Sequence, residues 1–156
     1  MRELTVVEVR LDDEEGSPVL ILKEVEGERQ LAIWRSAAGA AGILGALQDA
    51  DADHPSSHEL MIALIASVGA EVSVAHIVGH QEGVFYAELI VDGRPVNARP
   101  SDAIAVALRA GVPIKVAEAV LDAVGVVPES PEQEPRGEDQ VEQFRQFLDS
   151  VNPDDF

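Results

Sequence analysis

The stretch from Arg99 to Arg109, RPSDAIAVALR, places reactive side chains at the start of an alanine-rich apolar segment. Asp102, the Ser101 hydroxyl and the free N–H groups of a helix start could together hold a phosphate or a metal-bound phosphate. Arg109 follows Asp102 by seven residues, so the two side chains project from about the same face of a helix. Helix capping alone would also explain Pro100, Ser101 and Asp102, although it does not require Arg99. The residues themselves leave both interpretations open.

A second polar cluster is HPSSHEL, residues 54–60. Ser56 and Glu59 have the spacing of a capping box, in which each would satisfy the other's backbone at a helix start. His58 lies between them, and a histidine beside a carboxylate can act as a general base or a metal ligand. Glu88, further along the chain, could face the same site, although a solvated strand face is the simpler explanation. His76 and His80 are four residues apart, a spacing that does not make a metal pair in a strand and turn.

Composition limits the classes of function. The 156 residues are 46% hydrophobic and contain no cysteine, which predicts one globular domain with an appendage and excludes disulfides and thiolate chemistry. The 29 acidic residues outnumber the 11 basic residues, and the net charge of −18 opposes non-specific nucleic-acid binding. With neither a signal peptide nor a membrane-length apolar run, the sequence predicts a cytoplasmic protein that does not enter a membrane.

Hydrophobic periodicity and turn residues predict the elements that must position the two polar clusters. Each of the two polar clusters lies at the start of a separate predicted helix. The predicted strands are 4–11, 19–23, 29–34, 72–78, 84–91, 94–98 and 113–116, and the predicted helices are 36–50, 56–68, 101–110 and 117–123.

The sequence divides into three parts. Residues 1–127 form the predicted domain, residues 128–140 are an acidic, proline-rich linker, and residues 141–156 are the tail. In the tail, apolar residues recur at spacings of three and four, which predicts an amphipathic helix: Val141, Phe144, Leu148 and Val151. Because so short a helix is marginal alone in water, its apolar stripe must pack on the body, on a second copy or on a protein partner.

Four stretches resemble the bifunctional nuclease family. They are PVLILKEVEGERQLAIW, HPSSHELM, GVFYAELIV and NARPSDAIAVALRAGVPIKVAEAVL, which together cover most of residues 18–122. The tail, VEQFRQFLDSVNPDDF, resembles the acidic helical extension of actinobacterial members. The resemblance implies an α/β (α+β) fold, with a mixed β-sheet flanked by helices in one compact domain, and self-association into a homo-oligomer.

The resemblance also implies a metal-dependent nuclease acting on DNA or RNA. His58, Glu59 and Asp102 would be catalytic, with His58 activating or orienting a water. Asp102, together with Glu59 or Glu88, would hold a divalent metal, Mg²⁺ or Mn²⁺. The phosphate would be bound by Arg99, Ser101 and Arg109, and the positive charges of the two arginines would stabilise the transition state.

Three positions depart from the family pattern. Gly39 occupies the place of a usual glutamate, Asn97 that of an aspartate, and His54 that of an arginine. The loss of two acids and one base suggests a weakened or altered activity, as in a diverged paralogue. Two alternatives to the nuclease follow: a non-catalytic oligomeric adaptor whose tail helix binds a protein partner, and a binder of small phosphorylated molecules.

Overall fold

The computed structural model describes residues 1–11, 16–34, 37–48 and 53–129. Within these ranges the chain forms seven strands and four helices. The strands are β1 (Arg2–Leu11), β2 (Pro18–Glu24), β3 (Gln30–Trp34), β4 (Val72–Gln81), β5 (Val84–Val91), β6 (Arg94–Ala98) and β7 (Ile114–Val116). The helices are α1 (Ala37–Gln48), α2 (Ser57–Ser67), α3 (Pro100–Ala110) and α4 (Glu118–Val124). The predicted linker and tail from residue 130 onward lie outside the described residues.

The seven strands form one mixed sheet in the order β3-β2-β1-β7-β4-β5-β6. Every neighbouring pair is antiparallel except β4 and β7, which run parallel. A parallel partner requires a crossover connection, and α3 forms part of the connection that leads to β7. The predicted α+β fold with a mixed sheet is therefore confirmed.

Alternation along β4 and β5 places Ala75, Ile77, Ala87 and Leu89 on the face that the helices cover. Leu20 and Leu22 of β2 are almost completely buried, in one hydrophobic cluster with residues of α1, α3 and α4. Helix α3 is the centre of this layer, because seven of its eleven residues are buried and it contacts β4, β5, α1 and α2. The small side chains of its alanines allow these close approaches.

The β4–β5 turn is tighter than the sequence predicts. Strand β4 continues through residues 79–81, which were expected to lie in the turn, and only Glu82 and Gly83 connect it to β5. Both residues have positive φ angles, 51° and 79°, as two-residue hairpin turns that match the twist of the strands require. His80 therefore lies in the strand, where its ring packs against Phe85 with centroids 4.5 Å apart.

No helix of the described ranges combines the length and the apolar character needed to cross a lipid bilayer.

An arginine network joins the β2–β3 turn to α4. Arg29 donates from Nε and Nη2 to the buried Glu24 carboxylate, both at 3.0 Å, and from Nη2 to Glu118 at 2.7 Å. Arg2 donates to the same Glu118 at 2.9 Å. A Cβ at Gly27 would collide with the Glu24 carboxylate, so glycine is needed for this turn to close over the network.

These contacts make folding sensitive to acid. Hydrogen bonds from Arg29 lower the pKa of Glu24 against the opposing effect of burial, and Arg29 and Arg2 lower the pKa of Glu118. A carboxyl whose pKa is lowered by folding stabilises the protein above its unfolded pKa and loses that contribution as the pH falls through the folded value.

We therefore expect Glu24→Gln to lower the urea unfolding midpoint at pH 7, and the gap from the wild type to narrow toward pH 3, as the falling pH removes the stabilising contribution of the Glu24 charge. The control is Glu26→Gln, a substitution of an exposed residue in the same turn, which should leave the midpoint nearly unchanged at both values. An equal loss at pH 7 and pH 3 would show that the network acts through packing and not through charge.

Candidate functional site

The starts of α2 and α3 meet in space. His58 Nε2 lies 3.0 Å from Asp102 Oδ1, although the two residues are 44 positions apart in the chain. Arg99 Nε donates to the other carboxylate oxygen, Oδ2, at 2.7 Å. The two polar clusters found in the sequence therefore form one site, and Asp102 is bound by both of the other residues.

At the α2 start, a capping box fixes the backbone. The Ser56 hydroxyl accepts from the Glu59 N–H at 3.2 Å, and Glu59 Oε2 accepts from the Ser56 N–H at 2.6 Å. The spacing of Ser56 and Glu59 predicted this reciprocal cap, and the structure confirms it. Because the backbone is held in this way, His58, in the first turn, is directed toward α3.

At the α3 start, the N-cap residue is Arg99 and not the serine expected from capping preferences. Its backbone is extended, with φ −67° and ψ 143°, and it makes no side-chain cap hydrogen bond. Pro100 and Ser101 follow in the first turn, and Ser101 is buried. Asp102 directs its carboxylate to His58 and Arg99, so the cap interpretation does not account for it.

About two turns along α3 from Asp102, Arg109 pairs with the second carboxylate of the site. Arg109 Nη1 donates to Glu59 Oε1 at 2.8 Å, and only 12% of the Arg109 side chain is exposed. Its buried Nε has no hydrogen-bond partner among the described residues. A depression of about 410 Å³ opens beside the pair and is lined by Ala46, Glu59, Ile62, Leu108 and Arg109.

Two glycines of α1 make room for these side chains. A Cβ at Gly42 would lie 2.7 Å from His58 Cε1, and a Cβ at Gly45 would lie 3.2 Å from Arg109 Nη2. In the predicted helix 36–50, each glycine would by itself only weaken the helix by about 1 kcal/mol relative to alanine. Their spacing of three, which places them on one helix face, was the signal that a neighbouring element comes close.

Both carboxylates of the site are ionised at neutral pH. Burial raises the pKa of Asp102, but hydrogen bonds from Arg99 and His58 outweigh it and hold that pKa below its ordinary value. The Ser56 backbone N–H is the main cause that lowers the pKa of Glu59, with Arg109 adding to it and burial opposing it. Each carboxylate therefore acts only as an acceptor in these contacts.

Glu88 lies apart from the other predicted metal ligands. It faces His76 across the β4–β5 pair, with Oε1 3.6 Å from Nδ1. Its neighbours Ala87 and Leu89 belong to the core, so alternation places Glu88 on the sheet face away from α3.

The carboxylates of the site do not form a metal centre as they stand. Among the described residues, no three His, Cys, Asp or Glu side chains come together to hold a metal ion. Asp102 accepts from His58 and Arg99, and Glu59 accepts from Ser56 and Arg109. Each carboxylate is held by two donors, and no third ligand group of the described residues joins either of them, so this arrangement does not fit a divalent metal.

The fold and site define an α+β domain in which two helix starts bring together a histidine–aspartate pair and Arg99, while Arg109 in the last turn of α3 pairs with Glu59. Residues 20–129 match the family model of the bifunctional nuclease domain. The chain belongs to the bifunctional nuclease domain family, as the resemblance predicted.

Two relatives in Mycobacterium tuberculosis are similar over their whole length. One is from strain CDC 1551 and one from strain H37Rv, and each is described as an uncharacterized protein. Both are 45% identical over 161 aligned positions, which cover 100% of this chain and 98% of the relative. The likeness therefore extends beyond the domain into the tail.

The packing of Gly42 can be tested by adding a methyl group. Alanine in place of glycine usually stabilises a helix interior by about 1 kcal/mol. At position 42 the methyl would be too close to the His58 ring, so we expect Gly42→Ala to destabilise the protein by roughly 1–3 kcal/mol, as overpacking does. Chemical denaturation measures this, and NMR of the imidazole nitrogens should show that the His58–Asp102 bond is disturbed.

The matched control is Gly45→Ala, whose new methyl would lie 3.2 Å from Arg109 Nη2, a milder contact than the 2.7 Å contact at position 42. It should be neutral or stabilising. Equal stability of the two variants, with unchanged imidazole signals, would contradict the close approach of α1 to His58.

Proposed function

We propose that this protein hydrolyses phosphodiester bonds of nucleic acid, with the site at the starts of α2 and α3 as its active centre. Family membership supports a nuclease-like activity. The observation that carries the proposal is the His58–Asp102 hydrogen bond at 3.0 Å, with Arg99 on the same carboxylate. A base, the group that orients it and a cation are together at a helix start.

His58 is the general base of the proposed reaction. Since the ionised Asp102 can only accept, we assign the ring proton to Nε2, which leaves the Nδ1 lone pair to take a proton from the attacking water. Asp102 fixes this tautomer and stabilises the imidazolium that forms, so it acts as a positioning residue. The ring is held against Gly42 and its side chain is 14% exposed, so little rearrangement is needed before the reaction.

Arg99 supplies positive charge for the phosphate. Its side chain is 77% exposed, so a substrate can reach it directly. The first-turn N–H groups of α3, which the Arg99 side chain does not cap, can donate to the same phosphate oxygens. Charge that builds on these oxygens in the transition state strengthens both interactions.

Arg109 and Glu59 extend the proposed site along the α2–α3 contact. Arg109 is held by Glu59 beside the 410 Å³ depression, where a second phosphate of a polynucleotide would find a fixed cation. Ser101 was predicted to bind phosphate, but it is buried in the first turn of α3. In the proposed mechanism it supports the first turn of α3.

The predicted Mg²⁺ or Mn²⁺ requirement remains a prediction, and no step is assigned to the metal. The charge of −18 predicts weak attraction of polyanions to the whole molecule. We therefore expect a low affinity for nucleic acid that falls further with added salt.

The test is cleavage of labelled single-stranded DNA and RNA by the full-length protein, with Mg²⁺, with Mn²⁺ and with chelator. His58→Gln and Asp102→Asn should each reduce the rate by about 10²–10⁴-fold, the range for loss of general-base catalysis. Asp92→Asn and Arg94→Gln change exposed residues of the β5–β6 turn and should keep the parental rate. Equal cleavage by all four variants would identify a contaminating nuclease and defeat the proposal.

A second candidate function, a non-catalytic oligomeric adaptor, is favoured by one face of α2. Four large apolar residues share this face and are 40% to 79% exposed: Leu60, Met61, Leu64 and Val68. Such a stripe on a helix usually marks an interface. In this function the His58–Asp102 and Arg109–Glu59 pairs would fix α2 on α3 so that the stripe meets a second copy.

The adaptor candidate predicts that Leu64→Glu lowers the molar mass measured by light scattering to that of a monomer. Ala63→Glu introduces the same charge on another exposed side of α2 and should leave the mass unchanged. A wild-type protein that is already monomeric at high concentration would remove this candidate.

A further inference from the structure

The sheet has an outer face, which we define as the side opposite the hydrophobic core cluster. On β2, Leu20 and Leu22 point into that cluster. Val19, Ile21 and Lys23 alternate with them and therefore project from the outer face. Because residues paired in register lie on the same face of a sheet, the strand registers assign the charged residues of the strands to one face or the other.

The outer face carries no net charge, although the chain as a whole has a net charge of −18. Six charged side chains of the strands project from it, three acidic and three basic: Glu3, Glu8, Arg10, Lys23, Glu88 and Lys115. Two copies of so acidic a chain repel each other at long range. This repulsion is weakest where the approaching surfaces are neutral, so charge favours the outer face as a contact between copies.

One row of polar residues crosses the outer face from β1 to β6. Lys115 of β7 pairs in register with Glu3 of β1 and with His76 of β4. His76 pairs with Glu88 of β5, and Glu88 pairs with Asn97 of β6. The order across these five strands is thus acidic, basic, histidine, acidic and amide, with His76 in the middle.

The polar row is accessible to a partner. The side chains of His76 and Glu88 are 20% and 28% exposed, and Glu3 and Asn97 at the ends of the row are exposed. Within the described part of the chain, Lys115 forms no ion pair. Its charge is therefore available to a carboxylate of another molecule.

Apolar residues lie on both sides of the polar row. Val74 and Ile90 pair in register on one side. On the other side, Tyr86 pairs with Gly79 and is 48% exposed. An interface commonly combines such apolar contacts with a few charged groups that fix the orientation of the partner.

The charges of the row select one way of stacking two copies. Two identical sheets can pack face to face about a two-fold axis that lies between them and runs either across the strands or along them. An axis across the strands would place Lys115 on Lys115 and Glu88 on Glu88 of the other copy. An axis along β4 reverses the order of the strands, so that Lys115 of each copy faces Glu88 of the other.

We propose that two copies of this chain associate through their outer faces, with β4 over β4 and Lys115 of each copy paired with Glu88 of the other. Because Lys115 and Glu88 lie one strand away from β4 on opposite sides, both ion pairs form together. This interface is separate from the site at α2 and α3 and from the apolar stripe of α2, so it depends on neither proposed function.

Charge reversal tests the pairing in the full-length protein. Light scattering should give the molar mass of a dimer for the wild type. Lys115→Glu and Glu88→Lys should each raise the dissociation constant of the dimer by about tenfold or more, because each places like charges opposite each other. An equimolar mixture of the two variants should form a dimer again, since opposite charges then meet at both contacts.

The matched control is Lys23→Glu, which makes the same charge change on the same face. Strand β2 lies three strands from β4, whereas only β5 and β6 lie on the other side of β4. In the proposed dimer Lys23 therefore faces no strand of the other copy, and its variant should keep the molar mass of the wild type.

Cross-linking identifies the contact directly. Lys23 and Lys115 are the two lysines of the chain, and a carbodiimide joins a lysine amine to a carboxylate that touches it. Cross-linked dimers should form with the wild type and with Lys23→Arg. Lys115→Arg keeps the charge but removes the amine, so it should stay dimeric in light scattering and lose the cross-link.

Three results would overturn the proposal, once far-UV circular dichroism has shown that each variant is folded. One is a wild-type chain that stays monomeric at high concentration, and another is a mixture of charge variants that does not form a dimer. The third concerns Leu64→Glu on α2, which should leave this dimer intact. If that variant became monomeric while Lys115→Glu stayed dimeric, self-association would belong to α2.

Discussion

The close packing of α3 is the constraint on which both the core and the candidate site depend. This helix contacts the sheet through β4 and β5 and is also contacted by α1 and α2. Only small side chains fit between so many neighbours, which explains why Ala103, Ala105 and Ala107 alternate with Ile104 and Val106. The polar ends of α3 are thereby fixed, and the site is a consequence of the same packing that builds the core.

The few arginines of the chain are paired with specific carboxylates. The chain has 11 basic and 29 acidic residues. Arg2 and Arg29 neutralise Glu24 and Glu118, and Arg99 and Arg109 neutralise Asp102 and Glu59. These four arginines are thus held in local ion pairs. Any phosphate bound at α3 must be recognised by a few fixed groups and not by a general positive surface.

Two surfaces of the molecule differ in how far their apolar residues are exposed to water. The stripe on α2 lies beside the candidate site and is in contact with water in this chain. The outer face of β2, in contrast, holds Val19 and Ile21 almost completely buried. The exposed stripe suits an interface with another molecule, whereas the buried side chains of β2 leave no open apolar surface.

The sequence by itself determined the local structure of this protein, and only the tertiary structure decided how the local pieces meet. Strands β5 and β6 have the predicted bounds, and the Ser56–Glu59 cap was correct, because turns, caps and alternation depend on residues a few positions apart. The His58–Asp102 bond and the parallel pairing of β7 with β4 join residues 44 and about 40 positions apart. The role of Gly42 could not be predicted from its neighbours in the sequence either, because it depends on the His58 ring of another helix. No short-range sequence pattern predicts such contacts, because they depend on how α3 packs against the sheet and the other helices.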